Sequence, residues 1–186
     1  MLARKTNSEE NASKKQAGLV NLPRMVLRPL PLFILQPLLS RIIKKVIARR
    51  PELFRRLSEH QHKLYLIDPL NLPFALLLRP DSRSPSLKAI RRNNRPYHDA
   101  RIAGTFLTLL DMVDGHLDGD ALFFSRELIV EGDTEAVVVL RNALDDLDGS
   151  IADDVAAFYG APGQAALTKF RKIRQQNYEQ KKYAPS

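Results

Sequence analysis

The chain of 186 residues contains no cysteine and no tryptophan. Without a thiol it can form no disulfide, no thiolate metal site and no cysteine nucleophile, and this composition suits a reducing compartment. It also lacks a hydrophobic run long enough to span a bilayer, because the most apolar stretch, residues 30–39, is short and contains Pro31 and Pro37. The polar first 18 residues do not resemble a secretory signal. We therefore expect a cytosolic or peripheral membrane protein.

The net charge of +8 is distributed unevenly along the chain. Residues 1–58 carry a net charge of +10, residues 59–168 carry −7, and residues 169–186 carry +5. An acidic body with basic ends indicates an anionic partner, which is either a membrane surface or a nucleic acid.

The pattern of apolar residues predicts a mixture of short strands and helices, which is typical of an α+β fold. Tight polar turns separate the first four strands and indicate a mostly antiparallel meander. Four prolines in residues 19–37 are expected to prevent a continuous helix there, and residues 1–18 are expected to be a disordered tail. The strands are predicted at residues 63–68, 74–79, 87–91 and 100–105, and the helices at 38–50, 52–57, 106–113, 150–159 and 165–180.

Residues 120–147 are the most informative stretch of the sequence. A short apolar run at residues 128–130 predicts a fifth strand, and Gly132 permits the sharp turn that follows it. Asp133 is placed to cap a helix whose apolar positions recur every three or four residues. Three consecutive valines at residues 137–139 would also suit a strand.

The residues from Asp120 to Glu135 resemble the last strand and helix of sterol-carrier-protein-type lipid-binding domains. The resemblance lies in Asp120, the Leu-Phe-Phe run at 122–124, Arg126, Leu128 and the Glu-Gly-Asp-Thr-Glu run at 131–135. It is specific over these residues and looser back to residue 38. Within that family, the chain is most similar to accessory factors of bacterial ubiquinone biosynthesis.

The resemblance implies a small, mostly antiparallel five-stranded sheet that packs with helices around an apolar lipid cavity. The implied ligand is a polyprenylated quinone or a precursor lipid, bound or presented without a catalytic step or a cofactor. The implied process is oxygen-independent ubiquinone synthesis, with UbiU, UbiV and other ubiquinone-biosynthesis proteins as partners. The lining candidates are Phe106, Leu110, Val113, Phe123, Phe124 and Leu128, although ordinary core packing explains the same apolar pattern.

The predicted domains are a tail at residues 1–18, an apolar and basic arm with an amphipathic helix at 19–50, a lipid-binding domain at 51–160 and a basic helix at 161–186. The arm is our candidate for contact with the inner membrane, because its helix combines an apolar stripe with basic side chains. The stripe could equally cover the domain's own core. The basic residues proposed for membrane contact are Arg41, Lys44, Lys45 and Arg49.

No arrangement of residues indicates an enzyme or a metal site. The acidic loop that starts at Asp114 lacks two of the ligands that a calcium loop needs, and His60 and His62 have no partners with zinc-ligand spacing. The alternative hypothesis is a basic scaffold or nucleic-acid-associated module, which rests on basic clusters at residues 49–50, 55–56, 91–92 and 169–174. Interleaved aromatic residues on a sheet face, which would stack on bases, are missing and no recognised binding module is visible, so we do not expect nucleic-acid binding.

Overall fold

A computed structural model describes residues 32–92, 94, 96–114 and 128–182, with side chains through residue 176. The predicted tail and the first part of the arm lie outside these residues, as do Phe123 and Phe124. Within the described range the elements are α1 (Leu32–Arg49), α2 (Pro51–Arg56), a short 3-10 helix (Ser58–His62), β1 (Tyr65–Pro69), β2 (Phe74–Arg79), β3 (Ser86–Arg91), β4 (Ala100–Gly104), α3 (Phe106–Asp114), β5 (Ile129–Gly132), α4 (Thr134–Asp145), α5 (Ile151–Phe158) and α6 (Gly160–Lys182).

The five strands form one mixed sheet in the order β3-β2-β1-β4-β5. Three of the four pairings are antiparallel, which confirms the mostly antiparallel α+β fold. The predicted meander is wrong at one step, because β4 pairs with β1 in parallel instead of continuing beside β3. Turn residues specify a local hairpin, but they do not specify which distant strand the chain reaches next.

The sheet has one face packed against helices. Tyr65, Ala100 and Ile102 are fully buried on this face, together with Leu109 of α3 and Val137 of α4. The phenol of Tyr65 donates to the backbone oxygens of His60 (3.2 Å) and Ala136 (3.4 Å), and burial raises its pKa. Those bonds satisfy the single polar group that Tyr65 brings into an apolar layer.

The opposite face of the sheet is also buried around β1 and β4. Leu66 and Ala103 have no exposed surface, and Asp68 is 1% exposed. The carboxylate of Asp68 accepts two hydrogen bonds from Arg101, at 3.1 and 2.6 Å, and lies 2.9 Å from Arg92 Nη2. A buried carboxylate is tolerated here because two guanidinium groups neutralise it.

Residue-level predictions for α4 are confirmed. The side chain of Asp133 accepts a hydrogen bond from Ala136 N at 2.9 Å, and Lys63 Nζ lies 3.0 Å from the same carboxylate. The pKa of Asp133 is lowered, most strongly by the hydrogen bond from the backbone N–H of Ala136 and less strongly by the one from the ammonium of Lys63. All three valines at residues 137–139 are helical. Val137 is fully buried, so packing outweighs their weak helical preference.

Two predictions about helix boundaries are wrong. The first helix begins at Leu32, six residues earlier than expected, and contains Pro37. Proline at 37 removes a bond to the carbonyl of Phe33, and Phe33 is 75% exposed, so water can take the place of that bond. The last helix, α6, begins at Gly160, five residues before the predicted start at residue 165. The domain boundary itself stays a prediction.

Gly132 should be sensitive to any side chain, because its φ of +82° disfavours L-residues and a Cβ would collide with the backbone oxygen of Asp99. We expect Gly132→Ala to lower the free energy of unfolding by about 3 kcal/mol, measured by urea denaturation. Gly160→Ala is the matched control, since its φ is +62° and nothing lies within 4 Å of the added carbon. It should cost only about 1 kcal/mol. Equal losses for the two variants would show that the collision is relieved without cost.

Candidate functional site

Helix α3 carries three of the six predicted lipid-lining residues, and the end of β4 fixes its position. Thr105 caps the helix, with its Oγ1 accepting from Thr108 N at 3.2 Å. The side-chain oxygen of Asn71, in the turn after β1, accepts from Phe106 N at 2.8 Å. Two of the free N–H groups at the helix start are thereby satisfied, which holds α3 against the ends of the two parallel strands.

The structure does not gather the described lining candidates into one cluster. Val113 and Leu128 pack with the main core, where Leu128 is 8% exposed. Leu110 packs instead with Ala152, Ala156 and Leu167, which join α5 to α6. The ring of Phe106 contacts Phe170 of α6 edge to face, with 5.3 Å between centroids. Phe123 and Phe124 lie outside the described residues, so the proposed lining is still a prediction.

Helix α6 covers the outer side of α3 and is held there by a network of arginine and aspartate side chains. Arg171 donates to Asp114 at 2.9 and 2.5 Å and to Asp153 at 2.8 Å through two of its nitrogens. Arg174 donates to Asp111 at 2.5 Å. Ser150 donates its hydroxyl to Asp114 at 2.5 Å. These contacts fasten α6 to α3 and to the start of α5.

The electrostatic reason for this network is the burial of Asp114, whose side chain has no exposed surface. A carboxylate without solvent requires a cation and hydrogen-bond donors, and Arg171 supplies both. The pKa of Arg171 is raised, most strongly by its hydrogen bonds to Asp114 and less strongly by those to Asp153. Bidentate contacts of this kind fix orientation as well as distance, so α6 is docked in one register.

The spacing of acidic and basic residues in the sequence indicates this network. Asp111 and Asp114 are three residues apart on one helix, and Arg171 and Arg174 have the same spacing on another. Side chains three residues apart share a helix face, so two such pairs of opposite charge are complementary. Interpreting residues 169–174 only as a basic cluster missed this pairing.

The four residues proposed for membrane contact fall into two pairs. Lys45 and Arg49 face α5: Lys45 Nζ lies 4.8 Å from the ring centroid of Phe158, and Arg49 Nε lies 3.0 Å from Asp154. All four side chains are exposed, so the pairs differ in these contacts with α5 and not in burial. Part of the predicted basic surface is therefore engaged within the domain, and Arg41 and Lys44 are the better candidates for an external anion.

Apolar side chains are exposed on the same helix. Phe33 is 75% exposed, Ile34 53% and Leu38 38%, whereas Ile43 and Val46 further along the helix are buried. The first half of α1 thus presents apolar groups outward while its second half is part of the core. The stripe in the second half of the helix therefore covers the domain's own core, and contact of the first half with a membrane stays a prediction.

The basic clusters behind the nucleic-acid alternative are largely engaged in ion pairs within the chain. Arg50 lies 2.7 Å from Asp154, Arg56 lies 2.5 Å from Asp146, and Arg92 contacts Asp68. Arg171 and Arg174 are bound as described above. A guanidinium that already neutralises a carboxylate releases few counterions on meeting a phosphate, so these contacts weaken that alternative.

A sequence model of the SCP-2 sterol transfer family matches residues 43–145, which is more than half of the chain. The protein belongs to this family. The matched segment runs from the middle of α1 to the end of α4 and so includes the whole sheet. Helices α5 and α6, and the first half of α1, lie outside it. A search of curated proteins found no match.

Solved structures with a similar shape include three that bear on this family. The "UbiJ-SCP2 Ubiquinone synthesis protein" is 21% identical, with 63% of this chain and 90% of that chain covered and a TM-score of 0.46. The sterol carrier protein domain 2 of Helicoverpa armigera is 11% identical, with coverages of 61% and 90% and a TM-score of 0.42. Sterol Carrier Protein 2 from Yarrowia lipolytica is 11% identical, with coverages of 57% and 89% and a TM-score of 0.40. Likenesses at this level identify no ligand.

Within the described residues, no helix is both long enough and apolar enough to cross a membrane.

Arg171→Ala tests how α6 is fastened, because the change leaves Asp114 buried beside fewer donors. We expect a loss of about 3 kcal/mol in the free energy of unfolding, since removing one partner of a buried pair leaves a charge uncompensated. Lys172→Ala, at an exposed position of the same helix, should change it by less than about 0.5 kcal/mol. Urea denaturation of both variants measures the difference. A loss as small as that of the control would mean that α6 does not depend on this network.

Proposed function

We propose that this protein is a non-catalytic lipid-binding accessory factor of ubiquinone biosynthesis, in its oxygen-independent form, which works at the surface of the inner membrane. It binds or presents a polyprenylated quinone or a precursor of one. The observation that carries the proposal is membership of the SCP-2 sterol transfer family, whose matched segment contains the whole sheet and α3. The pathway is inferred from the resemblance of residues 120–135 to the accessory factor UbiT. The same resemblance implies UbiU and UbiV as partners.

The physics of the ligand supports a carrier. Exposing a polyprenyl tail to water costs about 25 cal/mol for each Å² of apolar surface, so a soluble protein that handles it must enclose it in alkyl and aromatic groups. Phe106, Leu110 and Val113 on α3 are half-buried, and together with Leu128 and the undescribed Phe123 and Phe124 they remain our candidates for that role. One structural neighbour is itself titled a ubiquinone synthesis protein, which agrees with the proposal without carrying it.

Contact with an anionic leaflet explains the exposed half of α1. Phe33, Ile34 and Leu38 offer apolar groups to the headgroup region, and Arg41 and Lys44 follow one and two turns later on the exposed side. This combination is typical of a helix that lies in a membrane interface. A carrier whose ligand resides in the membrane needs such a contact to collect and return it.

Extraction of lipid from the purified protein tests the proposed function. Protein produced in its native host and purified without detergent should yield a prenylated quinone or precursor in organic extracts, identified by mass spectrometry. An unrelated basic protein purified in the same way controls for carry-over of membrane lipid. Extracts without any prenyl lipid, combined with steeply salt-dependent binding of DNA or RNA, would favour the basic-scaffold alternative instead.

Charge-matched variants test the membrane contact. Arg41→Gln with Lys44→Gln removes two exposed charges, and Lys45→Gln with Arg49→Gln removes two that face Phe158 and Asp154. Each charge at an anionic surface contributes about 1 kcal/mol, so the first pair should weaken vesicle binding roughly 30-fold.

The second pair should weaken binding severalfold less, because those charges are already engaged. Co-sedimentation with phosphatidylglycerol vesicles measures both pairs, and phosphatidylcholine vesicles serve as the neutral control. Equal losses for the two pairs would mean that only net charge matters, and binding that neither pair changes would remove α1 from the contact.

A further inference from the structure

Helix α6 is attached to the rest of the domain by few apolar contacts. Among its described side chains only Leu167 is buried, and the α5 residues that pack against it are alanines. Phe170 adds the edge-to-face contact with Phe106. Because such a small apolar area stabilises an interface only weakly, the ion pairs of Arg171 and Arg174 determine whether α6 stays in place.

Helix α1, the other basic helix, is fixed more firmly. Ile43 and Val46 are buried in the main core. Gln36 Nε2 also donates to the backbone oxygen of Leu87 at 3.1 Å, and its Oε1 accepts from the backbone nitrogen of Ala89 at 3.2 Å. Of the two basic helices, α6 is therefore the one that can leave the domain without opening the main core.

The two arginines of α6 are more accessible than the carboxylates that they neutralise. The side chains of Arg171 and Arg174 are 27% and 21% exposed, whereas those of Asp114 and Asp111 are 0% and 7% exposed. An anion outside the protein can therefore approach the guanidinium groups while α6 is docked. A guanidinium binds a phosphate with the same two-pronged geometry that it uses for a carboxylate, so a phosphate is a suitable replacement partner.

The outer side of α6 adds positive charge that the domain does not neutralise. Lys169 and Lys172 are exposed, and no ion pair joins either of them to a carboxylate in the part of the chain that the structure describes. Residues 169–186 carry a net charge of +5. A helix of this kind is attracted to an anionic bilayer, and the same attraction brings its arginines near lipid phosphates.

The docked side of α6 carries the kinds of side chain that a membrane interface accepts. Leu167, Phe170 and Ile173 are spaced by three residues and lie on one side of the helix together with Arg171 and Arg174. Apolar groups flanked by guanidinium groups are typical of helices that lie in the headgroup region. The side of α6 that faces α3 and α5 is thus suited to a bilayer as well.

We propose that α6 is a second membrane-binding helix that is held closed against α3 and α5, and that an anionic leaflet opens it by taking the place of Asp111, Asp114 and Asp153. Lipid phosphates in the open state then neutralise the arginines that these carboxylates neutralise in the closed state. The inference goes beyond the proposed function, which assigns contact with the membrane to α1. Helix α6 lies outside the segment matched to the family, so this device is particular to the present chain.

The junction between α5 and α6 permits this movement. Helix α6 begins at Gly160, directly after Tyr159 at the end of α5. Gly160 has a φ of +62°, and nothing lies within 4 Å of the position of a Cβ there, so neighbouring groups do not restrict a change in its backbone angles. Rotation at this one residue moves α6 as a rigid body.

The absence of tryptophan permits a direct test of the position of α6. Phe170→Trp places one fluorophore on the docked side of the helix, and lipids with brominated acyl chains quench tryptophan only at close range. We expect quenching on vesicles of brominated phosphatidylglycerol and none on vesicles of brominated phosphatidylcholine. Ile173→Trp is a second reporter on the same side and should give the same result. Val138→Trp, at a 44% exposed position of α4, should stay unquenched.

A change in the closed state tests the exchange of partners. Asp153→Asn removes one carboxylate that holds α6, at a side chain that is 45% exposed, so the domain should remain folded. Binding to phosphatidylglycerol vesicles should become roughly threefold stronger, measured by co-sedimentation, because one ion pair of the closed state is lost. Asp148→Asn is the matched control, since it makes the same change in net charge at an exposed position, and it should strengthen binding much less.

The outcomes separate this inference from the proposed function. Tryptophans at positions 170 and 173 that stay unquenched on vesicles to which the protein binds would overturn it and leave the contact through α1 intact. Equal gains for Asp153→Asn and Asp148→Asn would also overturn it, since net charge alone would then explain the binding. No binding to phosphatidylglycerol vesicles at all would remove both helices from the membrane. Extracts without prenyl lipid would overturn the proposed function, whereas quenching at residue 170 would still support the opening of α6.

Discussion

The parallel pairing of β1 with β4 is the constraint on which the rest of this structure depends. It joins Tyr65 to Ala100 and Ile67 to Ile102, and so places the two most completely buried strands at the middle of the sheet. Adjacent parallel strands cannot be joined by a tight turn, so the β2–β3 hairpin and residues 92–99 must lie between them in the chain. Asp99 accepts a hydrogen bond from Leu64 N at 2.7 Å and aligns the starts of both strands. With β4 in place, β5 has an edge to pair with, and α3 and α4 follow directly onto the covered face.

Local sequence patterns predicted much of this fold because the relevant forces act locally. The apolar run in residues 74–79, the glycine at 132 and the cap at Asp133 each concern atoms a few residues apart, and all are confirmed. The parallel placement of β4 could not be predicted in the same way, because it depends on which surface is free after the hairpin has formed. The extension of α1 through Pro37 was not predicted, for a different reason. The loss of one bond to an exposed carbonyl costs little when the following turns bury Ile43 and Val46.

The candidate site was less predictable than the fold. Apolar spacing predicted the buried side chains of α3 only in part, because Thr108, Asp111 and Asp114 are buried while the lining candidates on this helix are half-buried. A solid interior and a ligand-filled one also have the same spacing. Phe106 and Leu110 face α6, and Val113 faces the main core, although one stripe carries all three. Which neighbour each meets depends on the docking of α6, and that docking depends on Arg171 and Asp114, which are 57 residues apart in sequence. Long-range ion pairs leave only a weak trace in a single sequence, here the shared spacing of two acids and two bases.

The side chain of Gln36 has a further consequence for the behaviour of the protein in solution. An uncovered edge strand presents a row of N–H and C=O groups to which another polypeptide can add, and this is a common route to aggregation. By occupying Leu87 O and Ala89 N, a single glutamine blocks such intermolecular pairing at the β3 end of the sheet. An amide on a surface helix thus gives protection that proteins more often obtain from proline, lysine or a bulge in the strand itself. The colloidal stability of the folded chain is consequently coupled to the position of its first helix.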